Sequence, residues 1–200
     1  MGWVADHHRR CGEAQSKIDF AENRSLPRIN TNEHESKIII IMNLTVCSFS
    51  PEHQEFLFRL YASTRQREFA SLGWPPVQLE VFLRMQFNNQ QRWYETAYPD
   101  AEHRIILGDA EPIGRILVNR TAEYLLLVDI ALLPEHQNRG IGAKYLRELN
   151  EESEQTGVPV RLQVLKTNPA QHLYERLGFV KTGEDELYLQ MERGIGGLKS

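Results

Sequence analysis

The run Tyr124 to Leu133 is apolar except for one acid, Asp129. It is too short to cross a membrane, and its leucine, valine and isoleucine content suits a buried central strand. Pro134 and Glu135 break the run, and Gln137-Asn-Arg-Gly-Ile-Gly142 follows. Beyond the glycines, Ile141, Tyr145, Leu146 and Leu149 recur at helical spacing. A strand that passes through a glycine loop into a helix leaves backbone N–H groups without intrahelical acceptors at the helix start, and such a group of donors favours phosphate. Gly140 and Gly142 have no side chain to hold an anion away from the backbone, and Arg139 adds a positive charge or a bidentate contact.

Two other phosphate loops do not fit. A dinucleotide-binding fingerprint needs a small residue where Tyr145 stands, and the Gly-Lys-Ser/Thr of a P-loop is absent. Gln137-Asn-Arg-Gly-Ile-Gly142 instead resembles the arginine/glutamine-x-x-glycine-x-glycine loop of the GCN5-related N-acetyltransferase (GNAT) family. Downstream, Leu162-Gln-Val164 reads as the next strand and Asn168 follows it, while Leu173-Tyr-Glu-Arg-Leu-Gly-Phe179 resembles the family's second cofactor-side signature. The three segments stand in family order.

The resemblance implies an acyl-CoA N-acyltransferase-like fold. It also implies transfer of an acetyl group from acetyl-CoA to a primary amine, by direct attack through a tetrahedral intermediate. The central strand would part from its neighbour, so that backbone groups of Ile130, Ala131 and Leu132 meet the pantetheine arm and polarise the thioester, as preorganised dipoles do. Gln137, Asn138, Arg139, Gly140, Ile141, Gly142 and Ala143 would hold the pyrophosphate, and Asn168 would contact the pantetheine, although Asn168 before Pro169 also suits a helix cap. Tyr174 would stand beside the sulfur as general acid, against the alternative of a ring packed on the sheet.

A primary amine with a pKa near ~10.4 must lose a proton before it attacks. Many relatives carry a glutamate on the central strand or on the next one, but Leu126 and Gln163 fill those places here, and glutamine is no base. Asp129 is the best carboxylate left, as a catalytic group or as a structural one, while a water chain, Glu123 and His136 are other routes for the proton. The missing glutamates also leave open a non-catalytic protein that binds acyl-CoA as a sensor or interaction partner.

The formal net charge of −4 and pI near 6.0 argue against nucleic acid and suit a small-molecule or protein amine as acceptor. Cys11 and Cys47 lack metal or disulfide spacing, so no metal is expected, and a cytoplasmic location follows from that and from the lack of an apolar leader or membrane span. Nothing in the sequence indicates an oligomer.

Residues 1 to about 36 are polar and aperiodic, and residues 1–41 are expected to be a disordered extension ahead of a domain over 42–193, with a loose tail at 194–200. Within the domain, Asn43 to Phe49 reads as a strand. Ser50-Pro51 opens a helix with Phe56, Leu57, Leu60 and Tyr61 on one face, and a second helix carries Leu79, Phe82, Leu83, Phe87 and Tyr94. These helices would wall the acceptor side, with Arg65, Glu68, Gln86 and Arg92 as selectors or as a solvated face. His103 to Leu107 and Ile113 to Val118 form a hairpin that leads through a turn at 119–122 into the central strand. A helix ending at Gly157, a strand over 160–164, a helix from Asn168 to Gly178 and a last strand around Leu187 to Met191 complete an α+β, mixed α/β, domain with one central, mostly antiparallel sheet.

Overall fold

The computed structural model describes residues 42–69 and 73–196, so the expected extension over 1–41 lies outside the described residues. One seven-stranded sheet, in the order β1-β2-β3-β4-β5-β7-β6, runs through the domain. Its strands are β1 (Leu44–Ser48), β2 (Glu102–Gly108), β3 (Glu111–Arg120), β4 (Leu125–Leu132), β5 (Val160–Leu165), β6 (Val180–Glu184) and β7 (Tyr188–Arg193). Every neighbouring pair is antiparallel except β4 with β5. That one parallel pair needs a crossover, and α3 (Ile141–Thr156) supplies it.

Helices α1 (Gln54–Phe69) and α2 (Pro76–Ala97) cover one face of the sheet. Phe56, Leu57, Leu60, Leu83 and Phe87 meet Ile105 and Leu107 there in one buried cluster. On the other face α3 and α4 (Gln171–Arg176) bury Tyr145, Leu146, Leu149 and Tyr174 against Ile116, Val118, Leu125, Leu127, Leu162 and Val164. Each fully buried leucine contributes about 1.5–3 kcal/mol. The β2–β3 hairpin turns on Asp109 and Ala110, whose φ values of 50 and 72 are the left-handed pair that a tight hairpin requires. Asp109 is secured there by accepting the Asn43 N–H on its Oδ1 at 2.9 Å.

The expected elements differ from the structure at four places. Ser50-Pro51 opens a 3-10 turn, Pro51–His53, before α1 begins at Gln54. The hairpin's second strand runs on to Arg120, which shortens the turn before β4. The last helix starts at Gln171 with Ala170 as its N-cap, so Asn168 is not the cap residue. It stands in the preceding turn, where its Oδ1 accepts the Ala170 N–H at 2.9 Å. Finally, β6 has no counterpart among the expected strands. Val180-Lys-Thr-Gly-Glu184 is an edge strand, largely exposed and lacking the alternation that marks a half-buried one.

Three of the four acids of α3 lie on its solvent side in ion pairs, Glu148 with Lys144, Glu152 with Arg120 and Glu154 with Arg193, and Glu151 is exposed. Glu154 also accepts the Gly196 N–H on both oxygens, at 2.9 and 3.1 Å. No helix among the described residues is long and apolar enough to cross a membrane.

Candidate active site

Strand β4 pairs with β5 only at Leu125, Leu126 and Leu127, opposite Val160, Arg161 and Leu162. Past that point β5 stays with β7, from Gln163 opposite Gln190 to Leu165 opposite Tyr188, and β4 keeps only β3. A bulge accompanies the parting. Leu117 faces Asp129 while Val118 faces Leu127, so Val128 is an extra residue on β4. The bulge reverses the alternation of side chains. Leu125 and Leu127 point to the α3/α4 face, and beyond Val128 it is Ile130 and Leu132 that pack there, while Ala131 packs with the α1/α2 cluster. Asp129 is thereby turned away from the apolar α3/α4 core and onto the α1/α2 face.

Leu133 donates its N–H to Ile113 at 2.9 Å, continuing the β3–β4 register. In an antiparallel ladder such bonded positions alternate, so Ala131 and Asp129 share the bonds to β3 and the backbone groups of Ile130 and Leu132 face the gap left by β5. The Leu132 carbonyl accepts Gln137 Nε2 at 2.9 Å, which ties the glycine loop to the strand end.

The loop between them turns on Asn138 and Gly140, with φ of 58 and 80. Gly140 is the N-cap of α3 and offers no side-chain cap, and the first intrahelical bond runs from Lys144 N to the Gly140 carbonyl. The N–H groups of Ile141, Gly142 and Ala143 precede it, so none has an acceptor within the helix. A Cβ at Gly140 would meet nothing within 4 Å, and one at Gly142 only Leu173 Cδ2 at 3.8 Å. Packing therefore does not require glycine at 142. Arg139 is exposed, and it pairs with no carboxylate among the described residues.

Tyr174, 8% exposed, lies in the cluster against which Ile130 and Leu132 pack, with its ring edge-on to Phe179 at 5.8 Å. Its hydroxyl makes no hydrogen bond among the described residues. Burial, and secondarily the negative charge of Asp129, pushes the phenol up to about 12.

On the opposite face Asp129 and Arg115 form a close pair. Arg115 Nε donates to Asp129 Oδ2 at 2.6 Å, and Nη2 lies 2.5 Å from the same oxygen and donates to Gln90 Oε1 at 3.2 Å. The guanidinium also sits 5.2 Å from the centre of the Tyr94 ring. Arg115 is 4% exposed, while the Asp129 side chain is 23% exposed. Both line an open cleft of about 350 Å³ together with Leu57, Leu60 and Ala131, whose side chains are apolar. Tyr61, Thr64, Arg65 and Gln90 complete its wall from α1 and α2. Among the described side chains of this cleft Asp129 is the one carboxylate.

The structure thus gathers Ile130 and Leu132, Gln137 to Ala143 and Tyr174 around the parting of β4 and β5, with Ala131 and Asp129 on the other face of the same strand. Asn168 is exposed in the turn before α4, and its Oδ1 is engaged by Ala170. Glu123 is exposed in the turn at the far end of β4, away from the gap. His136 lies in the 3-10 turn Pro134–His136 with a buried Nδ1 that has no partner among the described residues. Of the expected selectors, Arg65 lines the cleft and Arg92 is exposed. The side chain of Glu68 lies outside the described residues. Arg115 and Gln90 are not among the residues that the sequence singles out, and Tyr94 stands there only as part of a helix face. Arg115 carries the same signal that singled out Asp129, a lone charge inside an apolar strand, Ile113-Gly-Arg-Ile-Leu-Val118.

Residues 99–181 match the model of the acetyltransferase (GNAT) domain. Over that stretch the chain is similar to the GNAT family. Solved structures share its fold, among them the following three. The PaiA N-acetyltransferase of Thermoplasma acidophilum, solved in complex with coenzyme A, is 21% identical with a TM-score of 0.59 over 76% of this chain and 99% of its own. An acetyltransferase from Thermus thermophilus is 20% identical with a TM-score of 0.54, covering 75% of this chain and 96% of its own. A protein described as histone acetyltransferase HPA2 and related acetyltransferase, from Corynebacterium glutamicum, is 19% identical with a TM-score of 0.56, covering 80% of this chain and all of its own. No curated protein sequence matches. The GNAT match spans the gap, the glycine loop and Tyr174, and it leaves α1 and α2, which wall the cleft, outside its bounds.

Proposed function

We propose that the domain over residues 42–193 transfers the acetyl group of acetyl-CoA to a primary amine. The observation that carries this reading is the second half of β4. It turns unpaired backbone toward the gap, leads into an uncapped helix start with open space over Gly140 and Gly142, and presents Asp129 to a cleft on its other face. In this reading the amides of Ile141, Gly142 and Ala143, with Arg139, bind the pyrophosphate, while Gln137 and Asn138 hold the loop in shape. Backbone groups of Ile130 and Leu132 position the pantetheine and thioester, the backbone of Ala131 being taken by β3 and only its position between them lining the site, and Asn168 is left its side-chain amide nitrogen for the arm.

Acetyl-CoA supplies an activated acyl carbon. The amine nitrogen bonds to that carbon, the C–S bond breaks, and Tyr174 passes its proton to the departing sulfur while the amine's proton leaves toward the cleft. Asp129 is held by Arg115 through Oδ2, so its other oxygen receives the acceptor's ammonium and later its proton, directly or through water. The test is release of free CoA from acetyl-CoA, with and without a panel of amines, with products identified by mass spectrometry. Amine-dependent release with an acetylated product is the expected result.

A second reading is a protein that binds acyl-CoA without turning it over. It is favoured by the cation that already engages Asp129 in the cleft and by the exposed Gln163 where relatives carry glutamate. Tight CoA binding with no amine-dependent release would select it.

A further inference from the structure

The two sides of α2 differ in what they meet. Its inner side buries Leu83 and Phe87 against the sheet and lends Gln90 to the cleft. Its outer side carries Val77, Val81, Met85 and Trp93, which are 74%, 65%, 50% and 55% exposed. With Asn89 they form a row at four-residue spacing, one ridge of the helix. Apolar residues scattered singly on a surface need no partner, whereas a continuous apolar row marks a place where something binds. Trp93 is held on that surface by its neighbours, edge-on to Tyr98 at 5.5 Å and tilted against Tyr94 at 5.4 Å.

The charges of α2 argue against two kinds of occupant. Glu80 and Glu95 balance Arg84 and Arg92, the helix has no lysine, and Arg84 is tied to Glu55 and Glu80. A helix that lies on an anionic membrane carries a polar face rich in lysine and arginine, and a strongly charged partner is met by a field of one sign. The spacing favours a third. Val77 and Trp93 stand at equal distance on either side of Met85, as do Val81 and Asn89. In two antiparallel copies related by a two-fold axis at Met85, the small Val77 of each meets the large Trp93 of the other, Val81 meets Asn89, and Met85 meets its own counterpart. Ridges of this spacing pack into one another at a crossing angle of about −50°, the commonest class of helix contact. The four apolar side chains expose roughly 400 Å² on each copy, and with the neutral Gln78, Asn88 and Asn89 exposed beside them, two copies bury close to the about 1,200 Å² at which stable interfaces begin.

We infer that a second copy of this chain covers the outer side of α2, as a symmetric antiparallel pair of helices centred on Met85.

Sedimentation of the full chain over a concentration series tests the pairing, and the wild-type chain should be a dimer at micromolar concentration. Met85→Glu sets two carboxylates face to face at the axis, and Val81→Glu sets one on each side of it. Either should raise the dissociation constant at least ~100-fold, because like charges brought together in an interface repel strongly. Both positions are exposed and glutamate is a good helix former, so circular dichroism should be unchanged. Met85→Lys alone should dissociate the pair likewise, and an equal mixture of Met85→Glu and Met85→Lys chains should associate again as a heterodimer, since each would face the opposite charge across the axis. Val180→Glu, at an exposed position of the edge strand β6, should leave the dimer intact. A monomeric wild-type chain would overturn the inference, even one that bound lipid vesicles through the same row. A dimer unmoved by Met85→Glu and Val81→Glu, a dimer lost in Val180→Glu, or a mixture of the two Met85 variants that stays monomeric would overturn it as well.

Discussion

Strand β4 contains two halves of opposite character. Leu125, Leu126 and Leu127 are bonded to strands on both sides, and Leu125 and Leu127 are buried in the core over which α3 packs. After the bulge at Val128, Asp129 to Leu132 keep one neighbour, lie partly exposed, and hold a carboxylate. The first half satisfies its backbone internally, as buried strands must. The second leaves backbone donors and acceptors without strand partners where a ligand can take them. One extra residue separates the halves, so folding and function divide at a single register shift.

The largest effect is expected where the open half meets Tyr174. A positioned general acid contributes about 10²–10⁴-fold, so Tyr174→Phe should lower turnover by at least the lower figure while acetyl-CoA affinity and stability stay close to wild type. Since burial and the charge of Asp129 hold the phenol up to about 12, it stays protonated through the working range. The pH–rate profile should therefore rise as the amine loses its proton and show no falling limb from Tyr174 below about pH 11. Near wild-type turnover in the phenylalanine variant, with chemistry shown to be rate-limiting, would reduce Tyr174 to a packing residue of the closed half.

Asp129 tests whether the cleft side of the open half is also a structural element. Removing one partner of a buried ion pair leaves the other charge uncompensated, a loss of about 3–5 kcal/mol. Asp129→Ala should show that fall in urea unfolding, and Asp129→Ala combined with Arg115→Leu should recover much of it without recovering activity. A single mutant as stable as wild type would mean that Arg115 finds water or another acceptor.

The division between the halves also marks how far the sequence could be read. Apolar run, glycine loop and helical spacing place β4, α3 and the uncapped start of α3, because each depends on local periodicity and on backbone freedom at Gly140. The side to which Asp129 points depends on the bulge, and a bulge leaves no local mark at Val128 in a run of leucines. Its partner Arg115 is fourteen residues away on another strand, joined to it only by the sheet register. Edge strand β6, short and polar, shows itself only through pairing with β7.

A smaller effect is expected from His103, which lies in one row with Leu117 and Asp129 across β2, β3 and β4. It is stacked on Phe49 with ring centres 4.6 Å apart, and its Nε2 is buried without a partner among the described residues. Burial, with the nearby charge of Arg115, lowers its pKa from 6.5 to about 4. The folded state thus keeps a neutral imidazole where the unfolded chain takes up a proton. Stability from this group is full above about pH 6.5 and is lost as pH falls toward 4, by at most about 3 kcal/mol. His103→Phe should flatten that part of the stability curve relative to wild type, and parallel curves for the two proteins would show that His103 is protonated when folded.

Gly142 separates the demands of folding and binding most sharply, although its effect is the smallest. It lies in the first turn of α3 with no positive φ, and a Cβ there would touch only Leu173 Cδ2 at 3.8 Å. Glycine at a helical position costs roughly 0.8–1.0 kcal/mol relative to alanine, so for folding alone alanine is the better residue. Gly114, by contrast, is held by packing, because a Cβ there would come within 2.5 Å of the Ala131 carbonyl oxygen. If a pyrophosphate approaches the backbone at Gly142, a methyl group stands in its way. Gly142→Ala should then raise the melting temperature slightly while weakening CoA binding by roughly tenfold, about 1.4 kcal/mol, and Gly142→Val should weaken it further. Gly114→Ala should destabilise the fold. Calorimetry on the folded Gly142→Ala protein reads both quantities, and unchanged CoA affinity with raised stability would remove the glycine loop from the binding site.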